Sequence, residues 1–214
     1  LPLGDVPILE VVLRQLAAVG ASRVVLTLGH MAHLFSAALG DGRRLGLRIE
    51  YCQEEEPLGT AGPLRLIPNL DEHFLVMNGD LLTTIAYDEV FEYHRRRGAW
   101  GTIAMHEREV HVDYGVVETR PDGTLERYIE KPTIRYMVSM GINVLSREAV
   151  KLIPPTGRFD MPELMMAIRR AGKPVVCYST DCYWQDIGRF DDYERASADF
   201  SGDPARFLRL SATA

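Results

Sequence analysis

Two aspartates stand where a carboxylate could hold a hard cation. Asp80 closes the stretch His73-Phe74-Leu75-Val76-Met77-Asn78-Gly79-Asp80, and Asp186 lies in Tyr183-Trp184-Gln185-Asp186-Ile187-Gly188. Phe74 to Met77 is an unbroken apolar run bounded by polar and turn residues, the pattern of a strand buried on both faces. Gly79 then lets the backbone turn or a ligand approach closely. Asp80 would therefore stand at the carboxyl end of the strand, the edge where open α/β sheets bind ligands. Mg²⁺ takes oxygen ligands and is usually held by one or two carboxylates plus substrate phosphates. Asp186, in a turn between a strand-like run and a helix, can converge on the same sheet edge and share the ion across a triphosphate. Each aspartate also has an ordinary alternative. Asn-Gly and Gly-Asp are turn dipeptides, and Asp186 is placed to cap a helix that begins at Arg189 or Phe190.

Three further segments have types suited to phosphate or ring binding. Glu130-Lys131-Pro132 ends a hairpin, where Lys131 could offer a point charge to a phosphate; Pro132 biases Lys131 toward an extended conformation. A solvated lysine at a strand end is the commoner case. Leu58-Gly59-Thr60-Ala61-Gly62 has the composition of a phosphate-cradling loop but lacks the Gly-Lys-Ser/Thr ending of a P-loop. Gly59 there could let a flat ring approach the backbone, or the segment is simply a loop before a short helix. Tyr114-Gly115 opens a strand in which glycine needs a reason such as close ligand approach. His30 and His33 could share a helix face, but no second Cys or His pair completes a zinc set.

The elements that must position these residues alternate. Pro7 to Val19 reads as a helix with Pro7 in its first turn and Ile8, Leu9, Val12, Leu13 and Leu16 along one face. Arg23 to Leu28 is a short β-branched strand, His30 to Leu39 a helix, and Arg48 to Gln53 a strand. A loop, a short helix over Pro63–Ile67 and the Asp80 strand follow. Tyr87 to Arg97 is a helix with Val90, Phe91 and His94 on one side, and its basic end complements the helix dipole. Trp100 to His106 is a strand. Such alternation implies an α/β fold with a mostly parallel sheet, right-handed crossovers and helices on both faces. After Glu107 the pattern turns to β: Tyr114–Thr119 and Leu125–Ile129 form a hairpin about Pro121-Asp122-Gly123, and Met137–Leu145 is a further strand. A helix over Met161–Arg170, with Asp160 available as its cap, a strand over Val175–Ser179 and a helix from Phe190 to Asp199 complete a single domain over residues 1–200. The tail from 201 to 214 is weakly patterned and expected to pack loosely.

Composition is that of a globular chain: 214 residues, 46% apolar and 25% charged. The net charge of −6 argues against general nucleic-acid binding or an anionic membrane surface. No apolar run approaches the ~20 residues needed to span a bilayer. No signal peptide is visible, though the sequence opens at Leu1 rather than Met. Cys52, Cys177 and Cys182 are odd in number and form no CxxC pair, which points to reduced thiols in the cytoplasm.

Taken together and in order, these segments resemble the sugar-phosphate nucleotidyltransferases, and among them the mannose-1-phosphate guanylyltransferase branch. The resemblance rests on Pro2-Leu3-Gly4-Asp5-Val6-Pro7-Ile8-Leu9, Glu55-Glu56-Pro57-Leu58-Gly59-Thr60-Ala61-Gly62, Asn78-Gly79-Asp80, Asp113-Tyr114-Gly115-Val116-Val117, Ile129-Glu130-Lys131-Pro132, Ser139-Met140-Gly141-Ile142 and Trp184-Gln185-Asp186-Ile187-Gly188. It implies a Rossmann-like domain with a β-hairpin insertion for the sugar. It implies Mg²⁺ on Asp80 and Asp186, and Lys131 on the sugar phosphate with Glu130 and Gly115 near the sugar. Glu54, Pro57 and Gly59 would lie about the nucleobase and Gly141 and Asn143 along the sugar pocket, with Thr60, Asn78 and Tyr114 also among the substrate-binding residues. The substrates implied are a nucleoside triphosphate, GTP favoured, and a sugar 1-phosphate. Thymidylyl or uridylyl transfer, or an inactive regulatory subunit that binds nucleotide sugar, are the alternatives; a homo-oligomer is compatible with any of them. The family begins with a strand and a glycine-rich loop just ahead of the segment that matches Pro2. The resemblance therefore implies roughly 20–30 further residues upstream, a strand of ~5–6 residues plus a phosphate loop and its return.

Overall fold

The computed structural model describes residues 2–29, 32–188 and 190–208; His30 of the expected histidine pair, Met31, Arg189, Leu1 and 209–214 lie outside them. A short antiparallel pair, β1 (Pro2–Leu3) and β2 (Val6–Pro7), leads into α1 (Ile8–Ala18). Pro7 pairs with Pro2 and stands just before the helix rather than in its first turn. Then come β3 (Arg23–Leu28), α2 (Ala32–Leu39), β4 (Arg48–Gln53), a 3₁₀ turn over Gly62–Leu66 where a short helix was expected, and β5 (His73–Met77). They are followed by β6 (Leu81–Thr83), α3 (Tyr87–Arg96), β7 (Gly101–His111), β8 (Val116–Thr119), β9 (Leu125–Ile129) and β10 (Thr133–Ser146). After a 3₁₀ segment over Arg147–Leu152 the chain forms α4 (Met161–Arg170), β11 (Val175–Ser179), β12 (Trp184–Asp186), α5 (Phe190–Gly202) and α6 (Pro204–Leu208).

The main sheet has the order β11-β7-β10-β5. β5, β7 and β11 share one direction and β10 runs against its two neighbours. Apolar residues of adjacent positions on β10 point to opposite faces, as a strand's period requires. Ile142 and Val144 pack with Val12 and Leu16 of α1 and Val90 of α3; Leu145 packs with Leu164 and Ile168 of α4. Helices thus cover both faces. The outer halves of β7 and β10 extend past the expected strands as a ribbon, on which Arg135 bridges Glu109 at 2.7 Å. Its charged residues hid this extension from a hydrophobic reading.

The expected strand buried on both faces is the edge strand β5, and each of its residues is only half-buried. β3 pairs in parallel with β4 alone. Among the described residues no strand pairs with the second edge of either. Arg23, at the start of β3, donates to the carbonyls of Asn69 and Pro68 just before β5, at 2.8 and 3.0 Å. The two strands therefore start side by side and face each other across a gap.

The described part of the C-terminal segment, 201–208, is not loose. Phe207 is fully buried, its carbonyl accepts a 2.7 Å hydrogen bond from Gln15 Nε2 of α1, and its ring meets Tyr183 edge-on at 5.2 Å. One large aromatic in a short polar stretch sufficed, which periodicity does not detect. None of the described helices is long and apolar enough to cross a membrane.

His94 carries a pH dependence into this core. It is fully buried, with Nδ1 2.8 Å from Thr102 Oγ1 and Nε2 3.1 Å from His73 Nδ1. Burial, then the neighbouring His73, push its pKa down to about 4. The folded state holds it neutral, so the unfolded chain binds the proton first. Its contribution is complete above the ordinary value of 6.5 and lost as pH falls toward 4, about 3 kcal/mol in all. In urea melts the parent should lose up to about 3 kcal/mol more than His94→Gln between pH ~7.5 and ~4.5; equal losses would contradict the assignment.

Candidate active site

The gap between β3 and β5 is a cavity of about 1130 Å³. Val24 to Leu28 form one wall and Phe74 to Met77 the other. Beyond the ends of the strands the lining becomes polar: Glu54, Asn78, Asp80, Asn143 and Asp186 all reach it, with Gly59, Thr60 and Gly141 between them.

Asp80 and Asp186 are brought together by a strand pair too short to read from hydropathy. β6 and β12 are antiparallel, with Asp186 opposite Leu81, and the Ile187 N–H donates to the Asp80 carbonyl at 3.3 Å. Asp186 lies in a strand, and its Oδ1 accepts the Gly188 N–H at 2.9 Å. That closes a local turn, and Asp186 lines the cavity.

Asn78, two residues before Asp80, and Gly141 are fitted to each other. The Asn78 N–H donates to the Gly141 carbonyl at 3.0 Å. Gly141 has φ +72°, and a Cβ there would stand 2.9 Å from Asn78 Nδ2. β10 bulges between Ser139 and Asn143 at this point, which re-aims the strand as bulges beside sites do. Asn143, 6% exposed, follows the bulge and lines the cavity.

The Glu54–Gly62 loop is shaped by its own side chains. Glu54 Oε2 accepts the Leu58 N–H at 2.9 Å. Gly59 has φ +84°, and a Cβ on it would meet Asp160 Oδ1 at 2.6 Å and the Phe159 carbonyl at 2.7 Å. What this glycine admits is the entry to α4, where a flat ligand ring was expected. Thr60 is similarly occupied: its N–H donates to Asp160 Oδ1 at 2.9 Å and its hydroxyl accepts the Met161 N–H at 2.7 Å. The cavity-lining residues Met161, Pro162 and Met165 of α4 were missed, because apolar positions on an amphipathic helix read as core.

Pro57, Tyr114, Gly115, Glu130 and Lys131 do not line the cavity. The last four belong to the arm built by β8, β9 and the outer ribbon. Lys131 is exposed and has φ +44°, a left-handed conformation where Pro132 led us to expect an extended one. Gly115 stands just before β8, and a Cβ there would lie 2.6 Å from the Tyr128 hydroxyl. Its close neighbour is the protein's own tyrosine.

The charge at the cavity's polar end is negative. Among the described lining residues the one cation is Arg23, and its guanidinium is taken by Glu50 at 2.8 Å. No cluster of three or more metal-ligating side chains occurs among the described residues. The carboxylate pair fits a hard divalent ion completed by substrate oxygens better than zinc, which wants nitrogen or sulfur ligands.

A family model described as nucleotidyl transferase matches residues 1–202. The chain is 29% identical over 199 residues to mannose-1-phosphate guanyltransferase of Aspergillus fumigatus, covering 89% of this chain and 54% of that protein. It is 29% identical over 216 residues to UTP--glucose-1-phosphate uridylyltransferase of Synechocystis sp., covering 92% and 56%. The chain thus spans about half the length of the curated relatives it matches. The crystal structure of HddC from Yersinia pseudotuberculosis complexed with GMP-PN superimposes with a TM-score of 0.68 at 24% identity, over 91% of this chain and 85% of that one.

Proposed function

Since the chain belongs to the nucleotidyl transferase family, we propose that it moves a nucleotidyl group from a nucleoside triphosphate, GTP by preference, to a sugar 1-phosphate resembling mannose 1-phosphate. Pyrophosphate leaves and a nucleotide sugar forms. The observation that carries this reading is the meeting of Asp80 and Asp186, from distant parts of the sequence, on one cavity with the Glu54–Thr60 loop.

Asp80 and Asp186 are the residues to hold Mg²⁺, which would screen the phosphate charge and orient the α-phosphoryl group. The sugar-phosphate oxygen attacks the α-phosphorus as the bond to pyrophosphate breaks. That nucleophile is already an anion, so no side chain need act as a general base. The protein's work is to align two anions that repel each other. Glu54, Gly59 and Thr60, which line the cavity, are assigned to the base, with Pro57 on the same loop but off the lining. Asn78, Gly141 and Asn143 face the sugar. Lys131 on the arm, with Glu130, Tyr114 and Gly115, is assigned to the sugar 1-phosphate. The odd number of cysteines, Cys52, Cys177 and Cys182, without a CxxC pair supports a cytoplasmic setting.

The apolar walls that β3 and β5 give this cavity support the reading that a further strand lies between them. We assign it to the extended segment and glycine-rich loop that the resemblance sets ahead of Pro2. Such a loop would supply backbone N–H groups to the triphosphate, where the cavity itself offers no unpaired cation among its described residues.

Base choice is tested by calorimetry with GTP, dTTP and UTP in the presence of Mg²⁺. GTP should bind tightest; tighter dTTP or UTP would overturn the guanylyl assignment. Lys131→Ala should raise the KM for sugar 1-phosphate about 10- to 100-fold, the worth of a charged contact, with GTP affinity unchanged. Parent-like kinetics would return Lys131 to an ordinary surface role.

A further inference from the structure

The loop that lines the cavity and the first turn of α4 are joined as one body. The Phe159 N–H donates to the Leu58 carbonyl at 2.8 Å, and the Phe159 carbonyl accepts from both Ala61 and Gly62 at 3.0 and 2.9 Å. Asp160 adds its Oδ1 to the Thr60 N–H, and Thr60 returns its hydroxyl to the Met161 N–H. Glu163 Oε2 accepts the Asp160 backbone N–H at 2.7 Å, and Arg158 Nε donates to Asp160 Oδ2 at 3.1 Å, so the carboxylate is held at Oδ1 by Thr60 and at Oδ2 by Arg158. Asp160 is the N-cap residue of α4. A helix cap alone would not need the neighbouring loop, nor a glycine at 59 whose Cβ would collide with the cap itself.

We propose that Asp160 is a positioning residue for nucleotide selection: through Thr60 it sets the loop against which the base is read, without touching the nucleotide. This rests on the nucleotide reading of the cavity. Two facts point past simple stability. The residues joined, Thr60 and Met161, both line the cavity, and the other end of the loop is fixed by Glu54, which lines it too. A loop tied at both ends holds one shape and discriminates between bases by fit; freed at Thr60, it would accommodate them more equally.

The test uses Asp160→Ala, Asp160→Asn and Thr60→Val beside the parent. Asparagine keeps an oxygen for the Thr60 N–H, whereas alanine removes it; valine removes the hydroxyl that Met161 uses. Asp160→Ala and Thr60→Val should weaken GTP binding about tenfold or more, the scale of a misplaced contact, and narrow the preference for GTP over UTP. The KM for sugar 1-phosphate should stay within about twofold, and Asp160→Asn should restore GTP binding. Hydrogen exchange at the Thr60 amide should quicken in Asp160→Ala and not in Asp160→Asn. Parent-like GTP affinity in Asp160→Ala, or equal losses for both substrates, would overturn the proposal while leaving the enzyme assignment standing. Failure of the parent itself to bind any triphosphate would instead overturn the nucleotide reading, and this inference with it.

Discussion

Asp80→Asn and Asp186→Asn should each lower turnover about a thousand-fold, because loss of a metal carboxylate removes several kcal/mol of transition-state stabilisation. The fold should survive both changes. Asp80 is exposed, and asparagine at 186 keeps an Oδ1 for the Gly188 N–H that the aspartate now accepts. Isosteric amides therefore separate charge from shape. The Mg²⁺ concentration needed for half-maximal rate should rise in each variant, and the double variant should be scarcely worse than either single one, since the residues act as a unit. Rates within tenfold of the parent in both single variants would remove the carboxylates from the chemistry.

The second large effect concerns the gap. A form of the protein that begins at Leu1 should be poorly stable and turn over at least about a thousand-fold more slowly than a form carrying one further strand and its glycine-rich loop. Each backbone group left unpaired at the facing edges of β3 and β5 costs about 1–3 kcal/mol wherever water cannot reach it, and the apolar walls lose the strand that would cover them. The two forms can be compared by urea denaturation and by pyrophosphate release. Equal stability and equal rate would show that the gap needs no strand and that the triphosphate is held by other groups.

The α/β character, the helices on both faces and the hairpin insertion were legible from periodicity, because β3, β4, β9, α4 and β11 carry clear apolar patterns. The position of β5 was not. Its sequence reads as a central strand, and its half-exposure follows from an unpaired edge that its own residues do not reveal. The pair β6 and β12 is three residues a strand, too short for any period, yet it places Asp186 beside Asp80. The outer ribbon was hidden by charge, since Glu107, Glu109 and Arg135 satisfy one another across it. Gly59, Gly115 and Gly141 were singled out or matched as ligand-facing positions. Gly141 does line the cavity and Gly59 does so while making room for Asp160, but Gly115 makes room for Tyr128. A glycine in a sequence announces close approach and does not say of what. Lys131 shows the same limit: its positive φ opposes the bias that Pro132 imposes, so the arm's turn decides its conformation. An observed departure of this kind is a pointer to function, and Lys131→Ala is the variant that examines it.

Nucleotidyl transfer itself is tested most directly by release of pyrophosphate when the full-length protein is mixed with GTP, mannose 1-phosphate and Mg²⁺. Pyrophosphate and a guanosine-linked sugar should appear in equal amounts, and both should require all three components. Binding of GTP and of nucleotide sugar without any pyrophosphate release, under conditions where Asp80 and Asp186 are intact, would contradict catalysis and make the protein a sensor of nucleotide sugars.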